Sequence, residues 1–331
     1  MKQIEMYEYG KLREQSGAIP DISDTQILVE VYVNAVNSGD RMIVSGAMKT
    51  AAPLRLPHVP GLELAGIVRR TGRLVTSLRE GDRVVGLSPA GGGYADYAVL
   101  EESCAAAVPA GLALTGAVSL AAAGLSARQA LFVFGGLRPG QRVLIEGAAG
   151  AVGHLAVQLA KQSGAYVIAV ARPAQHEFLR GLGADRIIRY DEETPDGSFE
   201  PADLALGMIR EAASSPPQPA DGPNAALSSA QPGPELQPQA YRLLKDGGTF
   251  VSLISPSIAN VPSPRGIRAL FARVLPNQSD WTALLSDASE GRLRLHTEAV
   301  FPFTADGIQE AYRNSEHGKR GQFLIVRKNE E

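Results

Sequence analysis

The chain has 331 residues, enough for about two domains with a sizeable core. Its 44% hydrophobic and 20% charged content excludes a disordered polymer, and the net charge of −3 gives no electrostatic case for nucleic acid. A single cysteine, Cys104, excludes an intrachain disulfide framework and any multi-cysteine metal site, and fits a reducing, cytoplasmic setting.

The N-terminus, Met1 to Met6, lacks the apolar run of a signal peptide. Gln26 to Asn34 alternates like a half-buried strand, and Leu64 to Arg70 and Asp82 to Leu87 read as further short strands between glycine-rich turns. Such a texture predicts a small barrel-like β domain. The segment from Ala117 to Phe134 is rich in Ala and Gly and carries Ser119, Ser126, Arg128 and Gln129, so it reads as a packed helix, with no membrane association.

Strand and helix then alternate. Arg142 to Glu146 is a buried strand, His154 to Ser163 a helix and Tyr166 to Ala171 a second strand. Gln175 to Leu182 is a helix and Arg186 to Tyr190 a third strand, followed by strands at Ala202 to Leu206 and Gly248 to Ile254. This spacing predicts a parallel α/β sheet. The stretch 210–238 is dominated by Pro, Ser, Ala, Gly and Gln; it predicts a flexible surface insertion, either neutral or a lid. Gly266 to Val274 reads as an edge strand, Asp280 to Glu290 as a helix ended by Gly291, and Gln322 to Arg327 as a last strand that pairs within the N-terminal β domain.

Between the first strand of the α/β region and its helix lies Gly147-Ala148-Ala149-Gly150-Ala151-Val152-Gly153. Ala148 permits the tight turn, Gly150 lets backbone approach a pyrophosphate, and Gly153 allows close helix–strand packing. The following helix offers free N–H groups to the phosphates, so Ala148, Ala149, Gly150, Ala151, Val152 and Gly153 are the predicted cofactor contacts. An NAD site usually places an acid about 20 residues on, at the end of the second strand. Here that strand ends at Ala171-Arg172-Pro173 with no acid before Glu177. The planar fork of Arg172 suits a 2′-phosphate, which predicts NADPH; the alternative is a solvated surface arginine.

At this point the chain resembles the medium-chain dehydrogenase/reductase superfamily, in its zinc-free quinone oxidoreductase branch. The resemblance rests on Asn37 to Asp40, Pro60 to Gly66, Gly81 to Gly86 and Gly92 to Tyr97. It continues through Gly124 to Ala127, Gly147 to Gly153, Leu182 to Asp185 and Leu244 to Gly248. It implies an α/β architecture: a discontinuous GroES-like β-barrel domain, residues 1–117 and 276–331, and a doubly wound Rossmann domain, residues 118–275, with the active site in the cleft between them. It also implies a homodimer built through the edge strand of the Rossmann sheet.

Zinc-dependent relatives carry Gly-His-Glu where this chain has Gly61-Leu62-Glu63, and no cysteine lies near Asn37, so no metal site is expected. His58 and Glu63 then read as structural residues. The resemblance places Asn37 beside the nicotinamide and the substrate carbonyl, Ser126 near the carboxamide, and Tyr190 near the 2′-phosphate. From the residues alone, Asn37 is equally a turn former, Ser126 a helix hydroxyl bonded to its own backbone, and Tyr190 a strand aromatic. Asp40 orders its loop, Tyr94 and Tyr97 pack the β domain, and Cys104 is an inert buried thiol.

These residues predict an NADPH-dependent reductase acting on a small molecule, a quinone or an α,β-unsaturated carbonyl. The alternatives are a pathway-specific enoyl or tailoring reductase, and an NADPH-binding protein with little turnover. The latter draws on the lack of a tyrosine from Arg41 to Pro57, where many relatives carry one, and on the unusual segment from Leu206 to Arg210.

Overall fold

A computed structural model describes residues 1–50, 53–189, 199–208, 240–260, 262–315 and 320–327. Tyr190 and the stretch 210–238 lie outside the described residues. The chain divides into two units, Met1–Leu125 with Leu275–Glu331, and Ser126–Val274.

The first unit begins with a hairpin, β1 (Lys2–Glu8) and β2 (Lys11–Ser16). β3 (Gln26–Ala35) leads into α1 (Ser38–Val44), followed by β4 (Glu63–Thr71), β5 (Arg83–Leu87), β6 (Tyr97–Glu101) and β7 (Ala105–Ala107). A helical run containing α2 (Leu114–Ala117) and α3 (Ala123–Arg128) carries the chain into the second unit. That unit contains β8 (Arg142–Ile145), α4 (Gly153–Gln162), β9 (Tyr166–Val170), α5 (His176–Gly181) and β10 (Arg186–Ile188). It continues with β11 (Ala202–Gly207), α6 (Ala240–Leu243), β12 (Leu244–Ser252) and β13 (Arg268–Phe271). The chain then returns to the first unit with α7 (Gln278–Ser289), β14 (Thr297–Pro302), α8 (Ala305–Ser315) and β15 (Gln322–Val326).

In the first unit the sheet order is β14-β15-β3-β4-β5-β7, with β6 also on β3. β15 runs antiparallel to β3, placing Leu324 opposite Ala35. β3 is not half-buried as its alternation predicts. It pairs with β4, β6 and β15, and nearly all its residues are buried. Its polar positions are therefore satisfied internally. Arg69 Nε donates to Glu30 at 2.8 Å, and Asn34 Nδ2 donates to the Glu63 carbonyl at 2.8 Å. A buried polar group left without such partners would cost about 1–3 kcal/mol. Ile27, Val29, Val31, Leu64, Val68, Val84 and Leu100 form the core on one side. Ile4, Met6, Tyr94, Phe301, Ile308 and Phe323 form a second core cluster.

The second unit holds a parallel sheet of order β10-β9-β8-β11-β12-β13. Two halves wind outward from β8 and β11, the arrangement that creates a crevice at the carboxyl ends of those strands. Leu144, Ile168, Val170, Ile188, Tyr241 and Phe250 fill its core. The helix expected from Gln175 begins instead as a 3-10 turn at Pro173–Gln175, because proline suits the first position of such a turn. The edge strand expected from Gly266 is shorter, Arg268–Phe271, since Arg265 takes a left-handed φ of +54° and Gly266 one of +68°. α7 starts before Asp280 because Asn277 caps it, its side chain accepting from Asp280 N at 3.0 Å.

The helical run Leu114–Phe134 is long and apolar enough to cross a membrane, yet 67% of its most apolar window is buried within the protein. Leu114, Val118, Leu120, Leu125 and Leu131 are all core residues. The run ends in a π-helical stretch, Gln129–Phe134, where Gly135 N bonds the Ala130 carbonyl at 2.9 Å.

Candidate functional site

The glycine turn joins the carboxyl end of β8 to the first residue of α4. Gly147, not Ala148, takes the left-handed conformation that reverses the chain, with φ +61°. Ala148 is instead fully buried beneath the turn, which is why a small residue is needed there. A Cβ on Gly153 would sit 2.3 Å from the Gly147 carbonyl oxygen and 2.7 Å from Ala148 Cα, so only glycine lets helix and strand meet this closely. A Cβ on Gly150 would meet only the Gly147 oxygen, at 3.3 Å. The turn is therefore open on that side.

Gly150 N donates to Gly147 O at 2.9 Å, and His154 N to Gly150 O at 3.0 Å. The N–H groups of Ala151, Val152 and Gly153 have no hydrogen-bond partner among the described residues. They are the orphan donors of a helix start, and together with the helix dipole they favour an anion. A dinucleotide pyrophosphate suits such a helix start, where unpaired donors lie beside a glycine whose backbone can be approached.

Arg172 stands exposed just beyond β9, the strand paired to β8. Its N–H donates to Gln175 Oε1 at 3.3 Å, holding the chain as it enters the 3-10 turn. Arg189 was not singled out from sequence. It is exposed just beyond β10, where Ala171 N bonds Ile188 O at 3.0 Å. Two arginines thus follow the carboxyl ends of neighbouring strands. The signal in the sequence was a basic residue at the end of each of two consecutive parallel strands. Tyr190, the other expected contact of this region, is outside the described residues.

In the first unit, Asn37 caps α1. Its Oδ1 accepts from Gly39 N at 2.6 Å, so the turn-forming role is realised. Its Nδ2 donates to Glu63 Oε1 at 2.5 Å, and Glu63 Oε2 accepts from Ala122 N at 2.9 Å. Asn37 is half-buried and Glu63 is buried. Asp40 is also fully buried. It orders the loop, as its position predicts, by accepting from Gly61 N at 3.0 Å and Leu62 N at 3.3 Å. Burial raises its carboxyl from 3.8 to about 7; the charge of Glu63 adds to the rise, and the Gly61 and Leu62 N–H groups oppose it.

Beneath this loop Tyr312 donates to Tyr94 at 3.3 Å, and burial pushes both phenols well above their ordinary value. Arg327 donates to Asn34 Oδ1 at 2.6 Å and to Gly93 O at 3.1 Å, and its guanidinium lies 3.5 Å from the Phe303 ring centroid. Burial lowers it to about 9. Tyr94 is thus core, as predicted, whereas Tyr97 is only half-buried on β6. Cys104 is half-buried rather than buried, and desolvation still raises its thiol.

Ser126 lies on α3, half-buried, and its hydroxyl has no partner among the described residues, so it does not bond the backbone of its own helix. No group of three or more His, Cys, Asp and Glu suited to a metal occurs among the described residues.

Residues 23–110 match the alcohol dehydrogenase GroES-like domain, and residues 151–257 match the zinc-binding dehydrogenase domain. The chain belongs to the medium-chain dehydrogenase/reductase superfamily. Oxidoreductases of this superfamily use a nicotinamide cofactor. The chain is 36% identical over 194 residues to the chloroplastic quinone-oxidoreductase homolog of Spinacia oleracea, a match taking in 56% of this chain and 58% of that protein. The chain thus matches little more than half the length of that relative. It is 27% identical to the 2-methylene-furan-3-one reductase of Solanum lycopersicum, over 98% of this chain and 79% of the relative. In structure it resembles the quinone oxidoreductase of Coxiella burnetii, with a TM-score of 0.83, 27% identity and 99% of each chain covered.

Proposed function

We propose that the protein is a zinc-independent, NADPH-dependent reductase of a quinone or an α,β-unsaturated carbonyl. The observation that carries this reading is the turn from Gly147 to Gly153, with N–H groups at Ala151, Val152 and Gly153 that have no partner among the described residues and an open approach at Gly150. Arg172, with Arg189 beside it in the sheet order, supplies the cations a 2′-phosphate needs. Bound NADPH supplies a hydride.

The chain's own residues set the class of acceptor. Asn37 and Ser126 are hydrogen-bond donors of modest strength, suited to an oxygen whose charge is spread by conjugation. An isolated ketone calls for a stronger electrophile such as a metal ion. Glu63, which in zinc-dependent relatives would neighbour the metal ligands, is held here by Asn37 and Ala122. The names of the spinach and tomato relatives point to the same pair of acceptor classes.

The test is NADPH oxidation with a panel of quinones and enones, with NADH for comparison. Consumption with a conjugated acceptor supports the reading. Tight NADPH binding with no consumption by any acceptor favours a binding protein with little turnover, a reading motivated by the absence of tyrosine between Arg41 and Pro57. Arg172→Ala should weaken NADPH binding by about 10–100-fold, the range expected for a lost charge-assisted bond, and leave NADH nearly unchanged. Equal losses for both cofactors would remove the 2′-phosphate role.

We also place the protein in the cytoplasm as a homodimer. Among the described residues β13 ends the order of the parallel sheet, so its outer edge is the one proposed for pairing. Sedimentation as a monomer at micromolar concentration would exclude the dimer.

A further inference from the structure

We propose that Glu63 is a positioning residue for Asn37, fixing the asparagine amide so that one N–H faces a substrate oxygen. The inference rests on the reductase reading for the identity of that oxygen. The positioning itself rests on the hydrogen bonds of Asn37, Glu63, Gly39 and Ala122.

An asparagine amide has two ends of similar shape and opposite polarity, and only its neighbours decide which way it lies. Both neighbours of Asn37 give the same answer. Gly39 N–H can only donate, so it must face Oδ1, at 2.6 Å. The Glu63 carboxylate accepts, so it must face Nδ2, at 2.5 Å. Reversing the amide would set N–H against N–H at Gly39 and oxygen against a carboxylate at Glu63. The second oxygen of Glu63 accepts from Ala122 N at 2.9 Å, which fixes the carboxylate against the chain just before α3. The Glu63 backbone is fixed as well, its carbonyl accepting from the buried Asn34.

These contacts use one of the two Nδ2 hydrogens. The other has no partner among the described residues, and Asn37 is only half-buried. The fixed amide therefore presents a donor, which selects substrates bearing a carbonyl or developing oxyanion. In this account Glu63 acts through Asn37 and touches no substrate.

The test is a swap of donor and acceptor. In Glu63→Gln the new amide nitrogen faces the Asn37 nitrogen, donor against donor. In Asn37→Asp the new carboxylate faces Glu63. In the double variant the introduced glutamine donates to the introduced aspartate, while the N–H groups of Ala122 and Gly39 both keep an acceptor. Packing is restored, but position 37 no longer carries an N–H.

Each single variant should lower both the melting temperature and turnover. The double variant should regain the melting temperature while kcat stays down by about 10–100-fold. Recovery of turnover in the double variant would overturn the donor role of Asn37. A double variant no more stable than either single one would overturn the pairing. If the parent protein turned over no acceptor at all, the reductase reading would fail. The melting temperatures, with the Asn37 side-chain amide signal in 15N NMR lost in Asn37→Ala and shifted in Glu63→Gln, would still decide the pairing.

Discussion

Asp40→Asn should flatten the pH dependence of stability between about pH 4 and pH 7 and leave the protein more stable above that window. The parent carboxyl titrates at about 7 when folded, against 3.8 for an unperturbed aspartate. Between those values the folded state holds a proton that the unfolded chain has released, so stability falls as pH rises. The full penalty is reached above about pH 7 and is on the order of 4 kcal/mol, from about three pH units at 1.36 kcal/mol each. Asparagine carries no charge and so removes it. Its oxygen can keep one of the two backbone donors, Gly61 N or Leu62 N, and the other loses its acceptor at a cost of about 1–3 kcal/mol. A net gain of about 1–3 kcal/mol is expected near pH 8. Denaturant titrations at pH 4, 6 and 8 would measure it. Parallel profiles for parent and variant would mean that Asp40 is not the group that titrates.

Gly153→Ala and Gly150→Ala should both impair NADPH binding, but for different reasons. The new methyl at Gly153 would lie 2.3 Å from Gly147 O and 2.7 Å from Ala148 Cα. These are backbone atoms that cannot swing aside, so the turn must shift, at a cost of about 1–3 kcal/mol. At Gly150 the nearest atom is Gly147 O at 3.3 Å, a contact that a small adjustment absorbs. That variant should fold with nearly the parent melting temperature and still lose at least about tenfold in NADPH affinity, because the methyl occupies the approach used by the pyrophosphate. Thermal melts beside fluorescence titrations separate the two effects. Normal NADPH binding by Gly150→Ala would show that the phosphates lie elsewhere.

The parts legible in the sequence are those fixed by local physics. The turn from Gly147 to Gly153 announces itself because only small residues permit its geometry, and the strands of the parallel sheet stand out as apolar runs between helices. Even so, the turn role that the spacing suggests for Ala148 belongs to Gly147, since the spacing of small residues does not say which one has positive φ. The β1–β2 hairpin left no periodic signal. Ile4, Glu5 and Met6 are buried in succession, and Glu5 is tolerated there because Arg13 on the opposite strand pairs with it. The pairing of Asn37 with Glu63 was invisible for a related reason. It joins the start of α1 to the start of β4, and no local pattern encodes it. With no histidine beside it to make a metal site, Glu63 reads from the sequence only as a structural residue. Arg327 follows its strand as an ordinary basic residue, and nothing before the fold forms marks it as the partner of the buried Asn34.

The place of β15 beside β3 bears on the order of assembly. All the strands of the parallel sheet lie between Arg142 and Phe271, so that sheet can complete itself before the last strand of the chain has been made. The first unit cannot. Until Gln322–Val326 is available, the Val33–Ala35 end of β3, beyond the stretch paired by β6, waits for its partner strand, and Asn34 waits for Arg327. The earliest strands of the chain are thus among the last to be secured. A chain stalled before β15 would carry an open strand edge, the feature that invites pairing with another copy.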